Sequence, residues 1–134
     1  MITVVAALIQ QDGRLLICQR RKSDSCALKW EFPGGKVKPG ESAEQGLRRE
    51  LAEELGVTAT VAQELHRARH RCAELDDEIQ IVFFAATLGA EPARNLAFEQ
   101  VLWAEPAALS QYDFLPADRE LIAMLASGVL SLPC

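Results

Sequence analysis

The chain has 134 residues, of which 49% are hydrophobic and 25% are charged. These proportions are close to the average of soluble globular proteins and exclude a disordered or collagen-like chain. The formal net charge of −5 argues against binding to duplex nucleic acid, which needs a basic surface. No apolar run approaches the ~18 residues of a membrane-spanning helix.

The length suits a single domain over residues 1–134. The first ten residues are apolar but carry neither a basic leader nor a small-residue cleavage site, so we expect no signal peptide and a cytoplasmic protein. The cysteines form no C-x-x-C pair and have no histidine partners at zinc spacing. We therefore expect four reduced thiols, at Cys18, Cys26, Cys72 and Cys134.

The chain opens with a predicted β-hairpin. Residues 3–10 and 15–20 are apolar and β-branched, and the Asp12-Gly13 pair between them favours a tight turn. The polar residues 21–29 then predict a loop, and residues 30–32 predict a short extended segment.

The next predicted elements are a turn-rich segment and a helix. The Pro33-Gly34-Gly35 run interrupts the extended segment, and a loop is predicted over residues 36–40. Ser42 and Gln45 match a capping box at the start of a helix, and Gly56 stands where a left-handed residue commonly ends one. Leucines recur between these ends and form one apolar face for the core: Leu47, Leu51 and Leu55.

The remainder of the chain predicts three strands and a final helix. The strands cover residues 57–65, 78–88 and 101–104, with a loop over residues 89–97. One helical turn is predicted over residues 106–109. The last helix, over residues 117–126, follows Pro116 and has an apolar face of Leu121, Ile122 and Leu125. This order predicts an α/β (α+β) fold in which helices pack on a mixed sheet.

Acidic residues are concentrated in the first predicted helix and its lead-in. Residues 41–54 hold five glutamates and two arginines, which is −3 of the net charge of −5. At about 100° per residue, Glu50, Glu53 and Glu54 fall within one arc of ~100°. Because like charges on one helix face repel each other, this arrangement favours a functional role. The alternative is an ordinary solvated helix face.

Clustered carboxylates are typical ligands of a hard divalent cation such as Mg²⁺. A cation held there would reverse the local charge of an acidic protein, so the pattern favours a phosphate-bearing substrate. The glycines of the Pro33-Gly34-Gly35 segment would let backbone groups approach the same metal and phosphates. Gly46, on the same arc of the helix, is expected to leave space for another group against it. His66 and His70 fall in a predicted strand and hairpin, which argues against a metal pair.

Residues 35–57 resemble the Nudix box, G-x5-E-x7-R-E-U-x-E-E-x-G-U, at every fixed position. The matching residues are Gly35, Glu41, Arg49, Glu50, Leu51, Glu53, Glu54, Gly56 and Val57. Residues 30–36 and 114–118 are similar to the MutT branch, so the resemblance covers essentially the whole chain. It implies the Nudix α/β/α sandwich, a mixed sheet with helices on both sides.

The resemblance also implies an activity. A MutT-like member would use Mg²⁺, with Mn²⁺ as a substitute, to hydrolyse a nucleoside triphosphate to a monophosphate and pyrophosphate. We expect oxidised or modified nucleotides as substrates, with 8-oxo-dGTP ahead of CTP, dCTP and 5-methylated forms. Other nucleoside diphosphate derivatives are an alternative, and a non-enzymatic Nudix module is disfavoured because every box carboxylate is present. The small nucleotide is the expected partner of a monomer or homodimer, without duplex nucleic acid or membrane.

The same resemblance assigns candidate roles to individual residues. Glu50 would ligate the metal, act as general base on the attacking water, or do both. Arg49 would orient Glu50, and Glu41 would support Arg49 or share in proton transfer. The implied metal ligands are Glu50, Glu53, Glu54, a backbone carbonyl at Gly34 or Gly35, and an acid outside the box, for which Glu99 is the candidate.

The predicted base site departs from MutT at one position. Asp118 stands where MutT has an asparagine that reads the base, and an ionised carboxylate only accepts hydrogen bonds. Asp118 therefore favours a donor-rich edge such as guanine or 8-oxoguanine, whereas cytosine would need a protonated Asp118. Its alternative role is to cap the last helix. Arg20 or Arg21, and Phe32, resemble residues that touch the base, although Phe32 and Trp30 are equally compatible with the core.

Overall fold

The structure is a computed structural model that describes residues 1–72 and 77–132. The described strands are β1 (Ile2–Gln11), β2 (Arg14–Gln19), β3 (Trp30–Glu31), β4 (Gly34–Lys36), β5 (Ala59–Cys72), β6 (Asp77–Leu88) and β7 (Gln100–Ala104). The α-helices are α1 (Ala43–Leu55) and α2 (Arg119–Ala126), and two short 3-10 turns cover Pro106–Gln111 and Pro116–Asp118.

The strands form a mixed sheet in the order β3-β2-β1-β6-β5, with β4 paired to β1 and β7 paired to β2. β1 runs parallel to β6, and the other pairs are antiparallel. The predicted hairpin of β1 and β2 is confirmed. Asp12 and Gly13 both adopt positive φ angles, 51° and 76°, which suit the tight turn between the two strands.

Helices cover both faces of the sheet because β1 is apolar on both sides. Val5, Ala7 and Ile9 belong to the cluster that contains the α1 leucines, whereas Ala6 and Leu8 belong to the cluster that contains α2. The predicted apolar faces of both helices are buried: Leu47, Leu51 and Leu55 on α1, and Leu121, Ile122 and Leu125 on α2. The prediction of a mixed sheet with helices on both sides is confirmed.

The ends of α1 follow the sequence signals. The Ser42 hydroxyl accepts a hydrogen bond from the Gln45 N–H at 3.1 Å, and the Gln45 side chain accepts one from the Ser42 N–H at 2.9 Å. Gly56 ends the helix with a φ of 65° and donates its N–H to the Ala52 carbonyl. The capping box and the left-handed end therefore fix which residues of the box are helical.

Three elements differ from their predictions. Residues 34–36, predicted as a break and the start of a loop, form β4, because Gly34 has a φ of 155° and lets the chain approach Val5 where a Cβ would collide with its carbonyl oxygen. β5 extends well beyond residue 65, since its charged residues alternate with half-buried ones and stay paired to β6. α2 begins at Arg119 because residues 116–118 form a 3-10 turn.

The structure places both histidines and two of the cysteines. His66 and His70 lie in β5, and no set of three acidic, histidine or cysteine side chains among these residues is arranged to hold a metal ion. Cys18 is buried and Cys26 is exposed, both as free thiols. Cys134 and the side chain of Cys72 lie outside the described residues. No helix in residues 1–72 and 77–132 is long and apolar enough to cross a membrane.

Candidate active site

Three of the four Nudix-box carboxylates, those of Glu50, Glu53 and Glu54, lie on α1 in different surroundings. The Glu53 side chain is 54% exposed, whereas that of Glu50 is only 16% exposed. Glu54 is half-buried, and its Oε1 accepts a hydrogen bond from the backbone N–H of Gly34 at 3.0 Å. This bond brings the turn between β3 and β4 against the acidic side of the helix.

Arg49 binds the acidic residues together. Its Nε and Nη2 donate to the two oxygens of Glu41 at 2.6 and 3.0 Å, and its Nη1 donates to Glu50 at 2.8 Å. Nη1 also lies 3.3 Å from Glu53, and Nη2 donates to the Lys36 carbonyl at 3.0 Å. The guanidinium therefore fixes the direction of the Glu50 carboxylate relative to β4.

The charge state of Glu41 follows from these contacts. Its hydrogen bonds from Arg49, and then from the Lys38 N–H, lower the pKa of Glu41 to about 2. The same ion pairs raise the pKa of Arg49 above its usual value. Glu41 is thus an ionised support for Arg49 near neutral pH, and of its two predicted roles this geometry favours that of support.

Two glycines, Gly35 and Gly46, lie against this cluster. A Cβ on Gly35 would lie 2.5 Å from the carboxyl carbon of Glu50, so a larger residue would push Glu50 out of place. A Cβ on Gly46 would lie 3.3 Å from Oε1 of Glu41 and 3.5 Å from Cγ2 of Val37. The space expected beside Gly46 is therefore filled by the chain's own loop and is not open to a ligand.

The donor chemistry on this side of α1 suits a divalent cation, although no three described acidic side chains are gathered into a ready ligand set. Glu50, Glu53 and Glu54 supply hard oxygen donors, although in this structure the first two bond to Arg49 and the third to Gly34. Burial, and next the negative charge of Glu50, raise the pKa of Glu54 to about 8. A cation among these carboxylates would relieve the repulsion between Glu50 and Glu54.

A cavity of about 220 Å³ begins beside this cluster. Gly34, Gly35 and Glu54 line one part of it, and Phe32 and Asp118 line another. Phe32 is also a core residue, since its ring packs against Phe83 and Phe114. The cavity therefore joins the acidic side of α1 to an aromatic and acidic recess near α2.

Asp118 is the buried carboxyl group of this recess, with 3% exposure. Asp118 stands at the N-cap position of α2, but its side chain makes no capping hydrogen bond there, and no hydrogen bond reaches its carboxyl group within the described residues. Burial, and next the nearby Glu31, raise the pKa of Asp118 to about 7. Its side chain is open to a ligand role because its polar atoms have no partner among residues 1–72 and 77–132.

The other predicted base and metal residues occupy different places. Arg20 lines the cavity, but its Nη1 donates to Glu31 at 3.1 Å and its Nε donates to the Ser25 carbonyl at 2.7 Å. Arg21 is exposed and is not among the cavity residues. Glu99 is exposed as well, and its N–H donates to the carbonyl of Gln19, which precedes Arg20.

Glu31 is a cavity residue that the sequence reasoning missed. It lies in β3 between two buried aromatic residues, Trp30 and Phe32, and burial raises the pKa of its carboxyl group despite the Arg20 partner. A glutamate between two buried aromatic side chains is the signal that would have identified it, since an acid in that setting needs a cation or a ligand.

The chain is similar to known proteins in sequence and in structure. The family description "NUDIX domain" matches residues 1–125. The chain is 41% identical over 128 residues to a CTP pyrophosphohydrolase from Escherichia coli, covering 91% of this chain and 89% of the relative. It is 35% identical over 128 residues to an 8-oxo-dGTP diphosphatase from Haemophilus influenzae, covering 92% and 90%. A MutT NUDIX hydrolase from Burkholderia pseudomallei has a similar structure, with a TM-score of 0.78, 28% identity, and coverage of 91% of this chain and 95% of that chain.

Proposed function

The chain belongs to the Nudix hydrolase family, and on that basis we propose that it is a Mg²⁺-dependent nucleoside triphosphate diphosphatase that removes 8-oxo-dGTP and related modified nucleotides. The observation that carries this proposal is the single cavity shared by Glu54 and Asp118. One end offers carboxylates for a cation and a polyphosphate, and the other end offers a ring and a carboxyl group for a base.

The proposed reaction is attack of water on the β-phosphorus. The water oxygen bonds to that phosphorus, its proton passes to Glu50, and the bond to the oxygen bridging the α- and β-phosphates breaks. The products are a nucleoside monophosphate, which keeps the bridging oxygen, and pyrophosphate. Glu50, Glu53 and Glu54 would hold a divalent cation, which would neutralise part of the phosphate charge and make the attacking water more acidic.

Arg49 and Glu41 prepare Glu50 for this role. The hydrogen bond from Arg49 Nη1 holds one Glu50 oxygen at 2.8 Å, and Glu41 holds Arg49 through two further bonds. Because Gly35 leaves room for the Glu50 carboxyl group, the carboxylate is held in place by packing as well as by charge. We place the carbonyl of Gly34 or Gly35, and Glu99, as additional candidate ligands.

Phe32 and Asp118 carry the proposed base recognition. The Phe32 ring offers a flat apolar surface in the cavity, and an ionised Asp118 accepts hydrogen bonds from the N1–H and amino groups of an oxidised guanine. Arg20 contributes through Glu31, while Arg21 is placed at the exposed edge. The substrate is a small nucleotide, and we propose that the protein acts in the cytoplasm as a monomer or homodimer.

A second substrate class is favoured by one observation. The pKa of Asp118 is about 7, so its protonated form is also populated near neutral pH. A protonated carboxyl group donates to the ring nitrogen of cytosine and accepts from its amino group. CTP, dCTP and 5-methylated cytosine nucleotides are therefore the second candidates, in line with the similarity to a CTP pyrophosphohydrolase.

A substrate panel tests the proposal. We expect pyrophosphate release from 8-oxo-dGTP or cytosine nucleotides with Mg²⁺ or Mn²⁺, and a loss of orders of magnitude in Glu53→Gln while the fold is kept. Glu44→Gln is the matched control, because Glu44 is an exposed glutamate in the first turn of the same helix. Release of phosphorylated fragments from nucleotide sugars or dinucleoside polyphosphates, with no pyrophosphate from any triphosphate, would contradict the assignment.

A further inference from the structure

The carboxyl end of α1 is closed by a segment distant in sequence. An α-helix leaves its last four carbonyls without partners inside the helix. Gly56 satisfies the Ala52 carbonyl, and two backbone N–H groups satisfy later ones: Leu96 donates to Glu54 at 3.0 Å, and Arg94 donates to Leu55 at 2.8 Å. The carbonyl of a proposed metal ligand, Glu54, is therefore fixed by residues of the loop before β7.

The Arg94 side chain adds a charge at the same place. A Cβ on Gly56 would lie 2.5 Å from Nη2 and 2.8 Å from Nε of Arg94, so the guanidinium rests directly over this glycine. The last turn of α1 contains no basic residue of its own. Since the carboxyl end of a helix carries a partial negative charge, Arg94 supplies the cation that this end lacks.

The same segment is anchored to the sheet. Asn95 and Phe98 exchange two hydrogen bonds, at 2.9 and 2.8 Å, which fold residues 95–98 into a closed turn. The Phe98 side chain is buried in the cluster that contains the α1 leucines. The Glu99 N–H then donates to the Gln19 carbonyl of β2 at 2.9 Å. Residues 94–99 thus connect the end of the acidic helix to the strand that leads to Arg20.

We propose that residues 94–99 position Glu54 for metal binding, with Arg94 and Leu96 as the positioning residues. Glu54 is then held at two points, its side chain by Gly34 and its carbonyl by Leu96. A shift of the last helical turn would move the Glu54 carboxyl group away from Glu50 and Glu53, which sit earlier on the helix. The inference rests on the proposed function, because it takes Glu54 as a metal ligand.

The sharpest test removes one N–H group. Leu96→Pro lacks the donor to the Glu54 carbonyl, whereas Leu96→Ala keeps it and loses only a side chain that is already largely exposed. Calorimetric titration with Mn²⁺ and Mg²⁺, without nucleotide, should show metal affinity about 10-fold weaker in Leu96→Pro. A loss of this size is at the low end of those caused by removing a hydrogen-bond partner of a metal ligand. Leu96→Ala should stay within about twofold of wild type, since its backbone is unchanged.

Arg94 provides an independent variant in case the proline prevents folding. Arg94→Ala should weaken metal affinity about 2- to 5-fold, and Arg94→Lys should restore most of it, because the lysine keeps a cation near the helix end. Arg48→Ala is the matched control, since Arg48 is an exposed arginine on the same helix, away from its carboxyl end. Turnover assays should show a higher Mg²⁺ requirement in Arg94→Ala with an unchanged nucleotide KM at saturating metal.

Different results would overturn the proposed function and the positioning role of residues 94–99. Wild-type protein that takes up neither metal would overturn the proposed function itself. Wild-type uptake together with unchanged metal affinity in folded Arg94→Ala and Leu96→Pro would overturn only the positioning role. A rise in nucleotide KM with unchanged metal affinity would also overturn it, because that result would place residues 94–99 in substrate binding.

Discussion

The two ends of the cavity differ in how their acidic side chains are partnered. At the α1 end, Arg49 and Gly34 hold Glu50 and Glu54 in hydrogen bonds. At the α2 end, Asp118 is buried and no hydrogen bond reaches its carboxyl group within the described parts of the chain. In the proposed function, Glu50 and Glu54 must keep one position for chemistry and are held by the protein, whereas Asp118, proposed to select the base, is left for the ligand to satisfy.

The largest effect is expected from a substitution at the α1 end of the cavity. Glu50→Gln keeps the size of the side chain but cannot take a proton, so kcat should fall about 100- to 10,000-fold. The substitution leaves Phe32 and Asp118 at the α2 end unchanged, so the ratio of kcat/KM values between two substrates should stay the same. Steady-state kinetics on two nucleotides checks both statements, with Glu44→Gln as the control. A substrate preference that changed in Glu50→Gln would contradict the division of roles.

Substrate preference measured over a range of pH tests the role of Asp118 at the α2 end of the cavity. Because the pKa of Asp118 is raised to about 7, its ionised form is favoured above that pH and its protonated form below it. The preference for 8-oxo-dGTP over CTP, measured as a ratio of kcat/KM values, should therefore rise with pH by up to about tenfold per pH unit near neutrality. Taking a ratio removes pH effects of the metal-binding end, which both substrates share.

Asp118→Asn is the control for this series. Asparagine does not titrate, so the ratio of the two kcat/KM values should become independent of pH in the variant. A pH-dependent ratio that persisted in Asp118→Asn would assign the effect to another group, of which Glu31 in the same cavity is the first candidate.

The smallest expected effect is on stability. The pKa of Asp118 is raised on folding from its ordinary value of 3.8 to about 7, so the folded protein binds this proton more tightly than the unfolded chain. Stability is therefore lost as the pH rises through this interval. Above about pH 7, Asp118→Asn should increase the free energy of unfolding by about 1–3 kcal/mol, with little gain near pH 4. Urea unfolding of both proteins at both pH values measures this difference in free energy of unfolding. An equal increase at pH 4 and above pH 7 would contradict the raised pKa of Asp118.

The acidic residues at the α1 end of the cavity could be predicted from the sequence because they are close together in the chain. Ser42 and Gly56 mark the ends of α1, and helical periodicity then places Glu50, Glu53 and Glu54 on one side. The fixed spacing of the Nudix box identified their chemistry. The resemblance also predicted that Arg49 pairs with Glu50 and Glu41, but not its bond to the Lys36 carbonyl, which belongs to a strand predicted as a loop.

The residues at the α2 end of the cavity could be predicted only in part. Asp118 and Phe32 were identified by resemblance, but whether Asp118 caps α2 or faces the cavity depends on contacts between segments distant in sequence. Glu31 was missed because the two aromatic residues beside it show its setting only once β3 is packed and both rings are known to be buried. Likewise, the role of residues 94–99 depends on where a loop meets the end of a helix.

The most direct test of the central claim is metal binding by the acidic side of α1. Calorimetry with Mg²⁺ and Mn²⁺ should detect uptake by the wild-type protein, with affinity at least about tenfold weaker in Glu54→Gln and unchanged in Glu44→Gln. The account would be contradicted by a wild-type protein that binds neither ion, with or without nucleotide, or by a Glu54→Gln variant that binds both as the wild type does.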